Sequence, residues 1–236
     1  MDKVILAENT RELTPEEVAA MMEQIKRFNE ETFSILEDEY KRKGKVTSPT
    51  IERVMIRVGS NERYELFQHI EINYPMTSAA YRYAFRDAWT TDRVPEDNAI
   101  YYFEGIGLNR MLNAKERKLY DSLPKTITIY RGCHKNEAEP VWKYRGKFYP
   151  DFHLSWTLNR DVAEFFAFRG KHFAKEDGRV YSIRIKKDQM LALFLDRSEY
   201  EVIYPYSYGG KYKPFNLVTD KPTEYFIRYM ESKDNY

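Results

Sequence analysis

The chain has 236 residues, with 38 Lys and Arg against 37 Asp and Glu, a length suited to one domain or a close pair of subdomains. Its formal net charge of +1 removes any general pull toward nucleic acid or an anionic membrane, leaving only a local basic groove open. One cysteine, Cys133, excludes an internal disulfide and a thiolate metal cluster. No window approaches the roughly 20 apolar residues of a membrane span, so no membrane partner is expected. The apolar run Val4 to Ala7 is too short for a signal-peptide core. The expected location is the cytoplasm, or a host cell's cytoplasm reached without a signal peptide.

In chain order, Thr14-Pro15-Glu16-Glu17 reads as a helix start, with Thr14 capping and Glu17 closing a capping box. Val18, Met21, Met22, Ile25 and Phe28 then form one helical face. Gly44 and Pro49 mark the loop that follows. From Ile51 to Tyr120 the aromatic spacing is mostly helical, with breaks near Pro75, Pro95, Gly105 and Gly107. After about residue 122 the character changes. Thr126 to Tyr130 alternates and is rich in β-branched residues. Further strands are expected at Phe152 to Trp156, Val180 to Ile185, Met190 to Leu195, Glu201 to Tyr204 and Tyr225 to Met230, with one helix at Asn159 to Phe168. The fold class is α+β: N-terminal helices, then a mainly antiparallel sheet.

Three segments carry candidate chemistry. Tyr130-Arg131-Gly132 sets a guanidinium fork at a strand end beside a backbone open to close approach. Leu154-Ser155-Trp156-Thr157 puts Ser155 and Thr157 on one strand face, with Trp156 opposite. It leads into a helix capped by Asn159, with Asp161 at its positive end and a buried stripe at Val162, Phe165 and Phe166. In Arg197-Ser198-Glu199-Tyr200-Glu201-Val202-Ile203, Glu199 and Glu201 share one strand face, where like charges raise one pKa. Singly, these read as a surface arginine before a turn, an ordinary strand-to-helix junction and two edge-strand glutamates.

In this order and spacing the three segments together resemble the arginine–serine–glutamate class of mono-ADP-ribosyltransferases. That class carries an aromatic-arginine strand end, a Ser-x-Ser/Thr strand leading to a helix, and a Glu-x-Glu or Gln-x-Glu strand. The match runs from about residue 120 to 205, with Trp156 where threonine is commoner. It implies the ADP-ribosyltransferase fold: a single catalytic domain, helical over about 1–122, with a split-sheet NAD-binding core over about 123–236. It also implies cleavage of the nicotinamide–ribose bond of NAD+, as a substrate, with no metal.

The resemblance further implies that Glu201 lies against the ribose, with Ser155 holding both Glu201 and that ribose. Arg131 would clamp a phosphate or ribose, and the Gly132 backbone would pair with the nicotinamide amide. Tyr130 and Thr157 complete the NAD-binding set. Glu199 would face the acceptor, and glutamate there goes with arginine acceptors, whose guanidinium needs a base because its pKa exceeds about 12. Phe194 to Ser198 would meet the acceptor protein. Arg169 to Ala174 would form a loop over phosphate and nicotinamide, with Phe173 stacking and Arg169 or Lys171 at phosphate. Water as acceptor (an NAD glycohydrolase) and nucleic acid as acceptor stay open. The RNA 2′-phosphotransferases of the same fold use histidines where this set stands. A bacterial enzyme, a phage effector and a delivered toxin all fit.

The four histidines, His69, His134, His153 and His172, lack metal-ligand spacing. Cys133 reads as a small buried residue. The tyrosine-rich stretch from Tyr204 to Tyr212 reads as a loop over the sheet, with acceptor recognition as the alternative.

Overall fold

Glycine and proline set the helix ends in the first half. The computed structural model describes residues 30–92, 94–138, 140–144, 147–150, 152–169, 177–195, 198–206 and 214–224, so the expected helix start at Thr14 lies outside the described residues. The first described helix, α1 (30–43), stops at Gly44, whose φ of 67° is the left-handed conformation that glycine adopts without steric cost. Pro49 does not sit in a loop: it occupies the first turn of α2 (Ser48–Met55), where its missing N–H costs nothing. Next come α3 (Arg63–Asn73) and α4 (Ser78–Thr91), separated at Pro75. Thr77 caps α4 by accepting from the Ala80 N–H.

The contacts divide the chain into two units, Met1–Val94 and Pro95–Tyr236. In the first, Ile51, Phe67, Ala84, Phe85 and Ala88 are fully buried, and the Phe67 and Phe85 rings meet 5.7 Å apart. One charged group is buried there too. Glu39 on α1 accepts from the Thr47 N–H at 3.0 Å, the Thr47 hydroxyl at 2.8 Å and Lys43 Nζ at 2.8 Å, tying α1 to the turn before α2.

The second unit starts with α5 (Glu96–Ile106), α6 (Leu108–Met111) and α7 (Ala114–Ser122). Gly107, at φ 77°, separates α5 from α6 as expected. Gly105 does not break the helix: it lies inside α5. Then come β1 (Thr126–His134), β2 (Pro140–Tyr144), β3 (Lys147–Pro150), β4 (Ser155–Thr157), α8 (Arg160–Phe168), β5 (Gly178–Lys186), β6 (Ala192–Phe194), β7 (Glu201–Ile203) and β8 (Phe215–Thr219). Six of these strands form one sheet in the order β6-β7-β4-β1-β5-β8, and β2 pairs with β3 separately. Every strand pairing is antiparallel.

The fold is therefore α+β, helices followed by a six-stranded antiparallel sheet. The strand expected at Phe152 shortens to Ser155–Thr157 because Phe152 leaves the ladder for the core. There it packs against Trp156, Tyr181, Tyr206 and Phe215 at 5.1–5.4 Å. Strand β8 and the β2–β3 hairpin were not expected from the sequence. The strand expected at Tyr225 to Met230 lies outside the described residues. Among the described residues, no helix is long and apolar enough to cross a membrane.

The sheet's two faces differ. One buries Ile127, Ile129, Cys133, Trp156, Ile183 and Val202 under Leu119, Tyr120 and Leu123. The other carries α8, which meets it through Ala163, Ala167 and Phe168, with Phe165 packed partly buried against them, rather than through the expected Val162 and Phe166. Gly132 and Gly178 explain the change. A Cβ on Gly132 would lie 1.7 Å from the Ala163 carbonyl oxygen, and one on Gly178 2.4 Å from the Ala167 carbonyl oxygen. Helix backbone fills the space that side chains would take.

Burial alone would raise the Glu39 carboxyl, but the bonds from Lys43, Thr50 and Thr47 outweigh it and hold it down to about 2. A carboxylate with a depressed folded pKa stabilises above its unfolded value, and that stabilisation is lost as pH falls through the folded one. Glu39→Gln is therefore expected to lower the thermal midpoint at neutral pH. Its difference from wild type should shrink as pH falls from 4.5 toward about 2. Circular dichroism melts across that range check this, and a difference independent of pH would contradict it.

Candidate active site

Strand β1 pairs with β5 at nine consecutive positions, from Thr126↔Lys186 to His134↔Gly178. On its other side it pairs with β4 at one position, Tyr130↔Thr157. Because Thr157 also pairs with Glu201, Tyr130, Thr157 and Glu201 form a row across three strands on one face. Ser155 and Gly132, each two residues along, share that face.

Where the β1–β4 ladder stops, side chains take over. Arg131 donates from Nη1 to the Ser155 carbonyl at 2.5 Å, and from Nε and Nη2 to Glu137 Oε2 at 3.0 and 2.5 Å. The Ser155 hydroxyl donates to Glu201 Oε1 at 2.6 Å. Thr157 Oγ1 donates to the Glu199 carbonyl at 2.7 Å and accepts from the Asn159 N–H at 3.0 Å. Asn159 caps α8 by accepting from the Asp161 N–H at 2.9 Å. The serine strand thus holds both glutamate positions and launches the helix.

These groups surround a cleft of about 230 Å³. Its lining takes in Tyr130, Arg131 and Gly132 from β1, and Ser155, Trp156 and Thr157 from β4. Glu199, Glu201 and, from α8, Val162, Ala163 and Phe166 complete it. The volume falls below the roughly 300–1,000 Å³ of pockets that enclose a whole drug-sized ligand. Arg169, exposed at the end of α8, lies with its guanidinium carbon 4.5 Å from the centroid of the Phe166 ring. The cation therefore stands on a wall residue of the cleft.

Seven of the residues singled out from the sequence, Tyr130, Arg131, Gly132, Ser155, Thr157, Glu199 and Glu201, thus meet at one cleft. Phe173 and Lys171 lie outside the described residues. Three details differ from the sequence reading. Glu199 is not on a strand: β7 begins at Glu201, and Ser198 and Tyr200 take left-handed backbone at φ 59° and 50°. That conformation costs a non-glycine residue roughly 1–2 kcal/mol. The loop bends because the Glu199 and Tyr200 carbonyls are pinned by Thr157 Oγ1 and the Leu158 N–H. Gly132 owes its lack of a side chain to α8 rather than to an approaching ligand. Arg131 has three of its N–H donors engaged within the protein, so an incoming anion meets only those that remain.

Three contributors were not expected from the sequence. Glu137, in the short turn Lys135–Ala138, follows no pattern that marks it as the partner of Arg131. Val162 and Phe166 read as core from their spacing but form the apolar wall of the cleft. Cys133 is 5% exposed, and burial pushes its thiol up to about 12, a protonated and unreactive state. Tyr204 and Tyr206 are buried in the core, whereas Tyr208 and Tyr212 lie outside the described residues. His153 hydrogen-bonds Glu96, which raises its pKa. Among the described residues, no three His, Cys, Asp or Glu side chains are grouped to hold a metal ion. No protein-family model, curated protein or solved structure matches the chain.

Gly132→Ala is expected to destabilise the protein by at least the ~1–3 kcal/mol typical of overpacking, since the obstacle is helix backbone. Gly105→Ala, inside α5 with open space around it, serves as the control and is expected to stabilise by about 0.5–1 kcal/mol. Denaturant unfolding measures both, and equal effects would contradict the close seat of α8.

Proposed function

We propose that the protein cleaves the nicotinamide–ribose bond of NAD+ and transfers the ADP-ribose to a protein acceptor, with an arginine side chain as the acceptor group. One observation carries this reading: the arginine, serine and glutamate segments, far apart in sequence, line a single cleft where a sheet ladder stops. Helices followed by a six-stranded antiparallel sheet are compatible with the ADP-ribosyltransferase fold and support this reading. The cleft's size suits a nicotinamide with its ribose, and Phe166 and Val162 offer the ring an apolar wall.

In the proposed reaction the C1′–N bond breaks and nicotinamide leaves as a neutral base with the bonding pair. Positive charge develops on the ribose, as in glycoside hydrolysis. Glu201, held by the Ser155 hydroxyl, stabilises that charge; a carboxylate oriented before the reaction incurs little reorganisation cost. A guanidinium nitrogen of the acceptor then attacks C1′ and gives its proton to Glu199. With Arg131 largely engaged by Glu137 and Ser155, Arg169 on Phe166 is the described cation best placed to meet a phosphate.

Glu201→Gln is expected to cut nicotinamide release by about 10²–10³-fold, the scale of losing one oriented electrostatic contact, with the fold intact by circular dichroism. Release close to the wild-type rate would overturn its role. Glu199→Gln is expected to keep nicotinamide release but to lower transfer to agmatine, an arginine mimic, by about 10²–10⁴-fold, the scale of losing a general base. The ratio of transfer to hydrolysis reads this directly. An unchanged ratio would remove arginine as acceptor and leave water as the better candidate.

A further inference from the structure

We infer that Glu137 is a positioning residue for this reaction, acting through Arg131 and Ser155 on Glu201. The inference rests on the proposed cleavage of NAD+ for its kinetic readout, but its geometry stands by itself. Four hydrogen bonds make three successive links from the turn after β1 to the carboxylate at the cleft. Glu137 Oε2 receives both Nε and Nη2 of Arg131. Nη1 of the same guanidinium reaches the Ser155 carbonyl at 2.5 Å. The hydroxyl of that serine holds Glu201 at 2.6 Å.

A guanidinium is planar, so fixing one edge fixes the direction of the remaining donors. Arginine otherwise has several rotatable bonds and would be free to leave Ser155, whose carbonyl lies where β1 and β4 have ceased to pair. Glu137 removes that freedom. The pair is largely shielded, with the Arg131 side chain 12% exposed and that of Glu137 25% exposed, and charge-assisted bonds in such a setting are the stronger kind. The same carboxylate neutralises Arg131, so this arginine serves to hold β4 in place more than to attract phosphate. A competing reading makes Glu137 a stand-in anion that substrate phosphate must displace, and the two differ in sign.

The test compares wild type, Glu137→Ala and Glu137→Gln. Glutamine keeps a carbonyl that accepts from Arg131 and so retains part of the constraint. For nicotinamide release, kcat is expected to fall by up to about 100-fold in the alanine variant, the scale of misplacing a catalytic group by about 1 Å. The glutamine variant should fall between, with KM for NAD+ unchanged in both. Calorimetric titration with a non-cleavable NAD+ analogue should still give one site per chain, so that the loss belongs to folded sites. A lower KM in either variant would overturn the proposal in favour of a displaced anion, and an unchanged kcat would make Glu137 a bystander. Crystal structures of wild type and Glu137→Ala read the positioning without NAD+. Arg131 leaving Ser155 in the variant supports it, and an unmoved Arg131–Ser155–Glu201 chain overturns it. A wild type that releases no nicotinamide would sink the proposed function alone, since the two structures still decide the role of Glu137.

Discussion

The second unit depends on a strand pairing that stops early. β1 is zipped to β5 along its whole length, which fixes its path, but it meets β4 only at Tyr130↔Thr157. Beyond that pair the backbone groups facing the gap must find other partners, because an unpaired buried carbonyl is costly. Arg131 supplies one for Ser155. The cleft is therefore an opening within the sheet, walled by strands whose positions are set elsewhere. Apart from Glu199 in the loop before β7 and the α8 residues, the side chains facing it are held by the sheet, which favours a fixed geometry.

Close packing of α8 supplies the other wall. Gly132 and Gly178 let the helix backbone approach the sheet through Ala163 and Ala167. That approach turns Val162 and Phe166 toward the cleft instead of the core. On the far side, the Glu199 and Tyr200 carbonyls are held by β4 and the residue after it. The loop adopts two left-handed residues to meet those bonds. Backbone strain held at such a position is common at functional sites, and here its effect is to bring Glu199 off the strand and into the lining beside Glu201.

Much of this was legible in the sequence. Alternation and β-branching located β1 and β5, and the Asn159 cap located α8. The three motifs, read together, named seven lining residues. Most of what escaped depends on contacts that no local pattern marks. Val162 and Phe166 read as core by their spacing, whereas the glycines on β1 and β5 set the inner face at Ala163, Ala167 and Phe168. Glu-x-Glu alternates as a strand does, and only the bonds from Thr157 and Leu158 reveal the bend at Glu199. Glu137 reads as one more charged residue until Arg131 stands beside it. Gly105 and Pro49 looked like breaks, yet helix α5 tolerates the glycine and the first turn of α2 accommodates the proline.

Under the proposed function, this cleft opens the bond between nicotinamide and ribose. Incubating the purified protein with NAD+ labelled in the nicotinamide ring, and separating free nicotinamide from intact dinucleotide, tests it most directly. Steady release of labelled nicotinamide is expected, and it should be lost when Ser155 and Glu201 are replaced together. Intact NAD+ after prolonged incubation with folded protein, both alone and with agmatine or cell extract added, would contradict it.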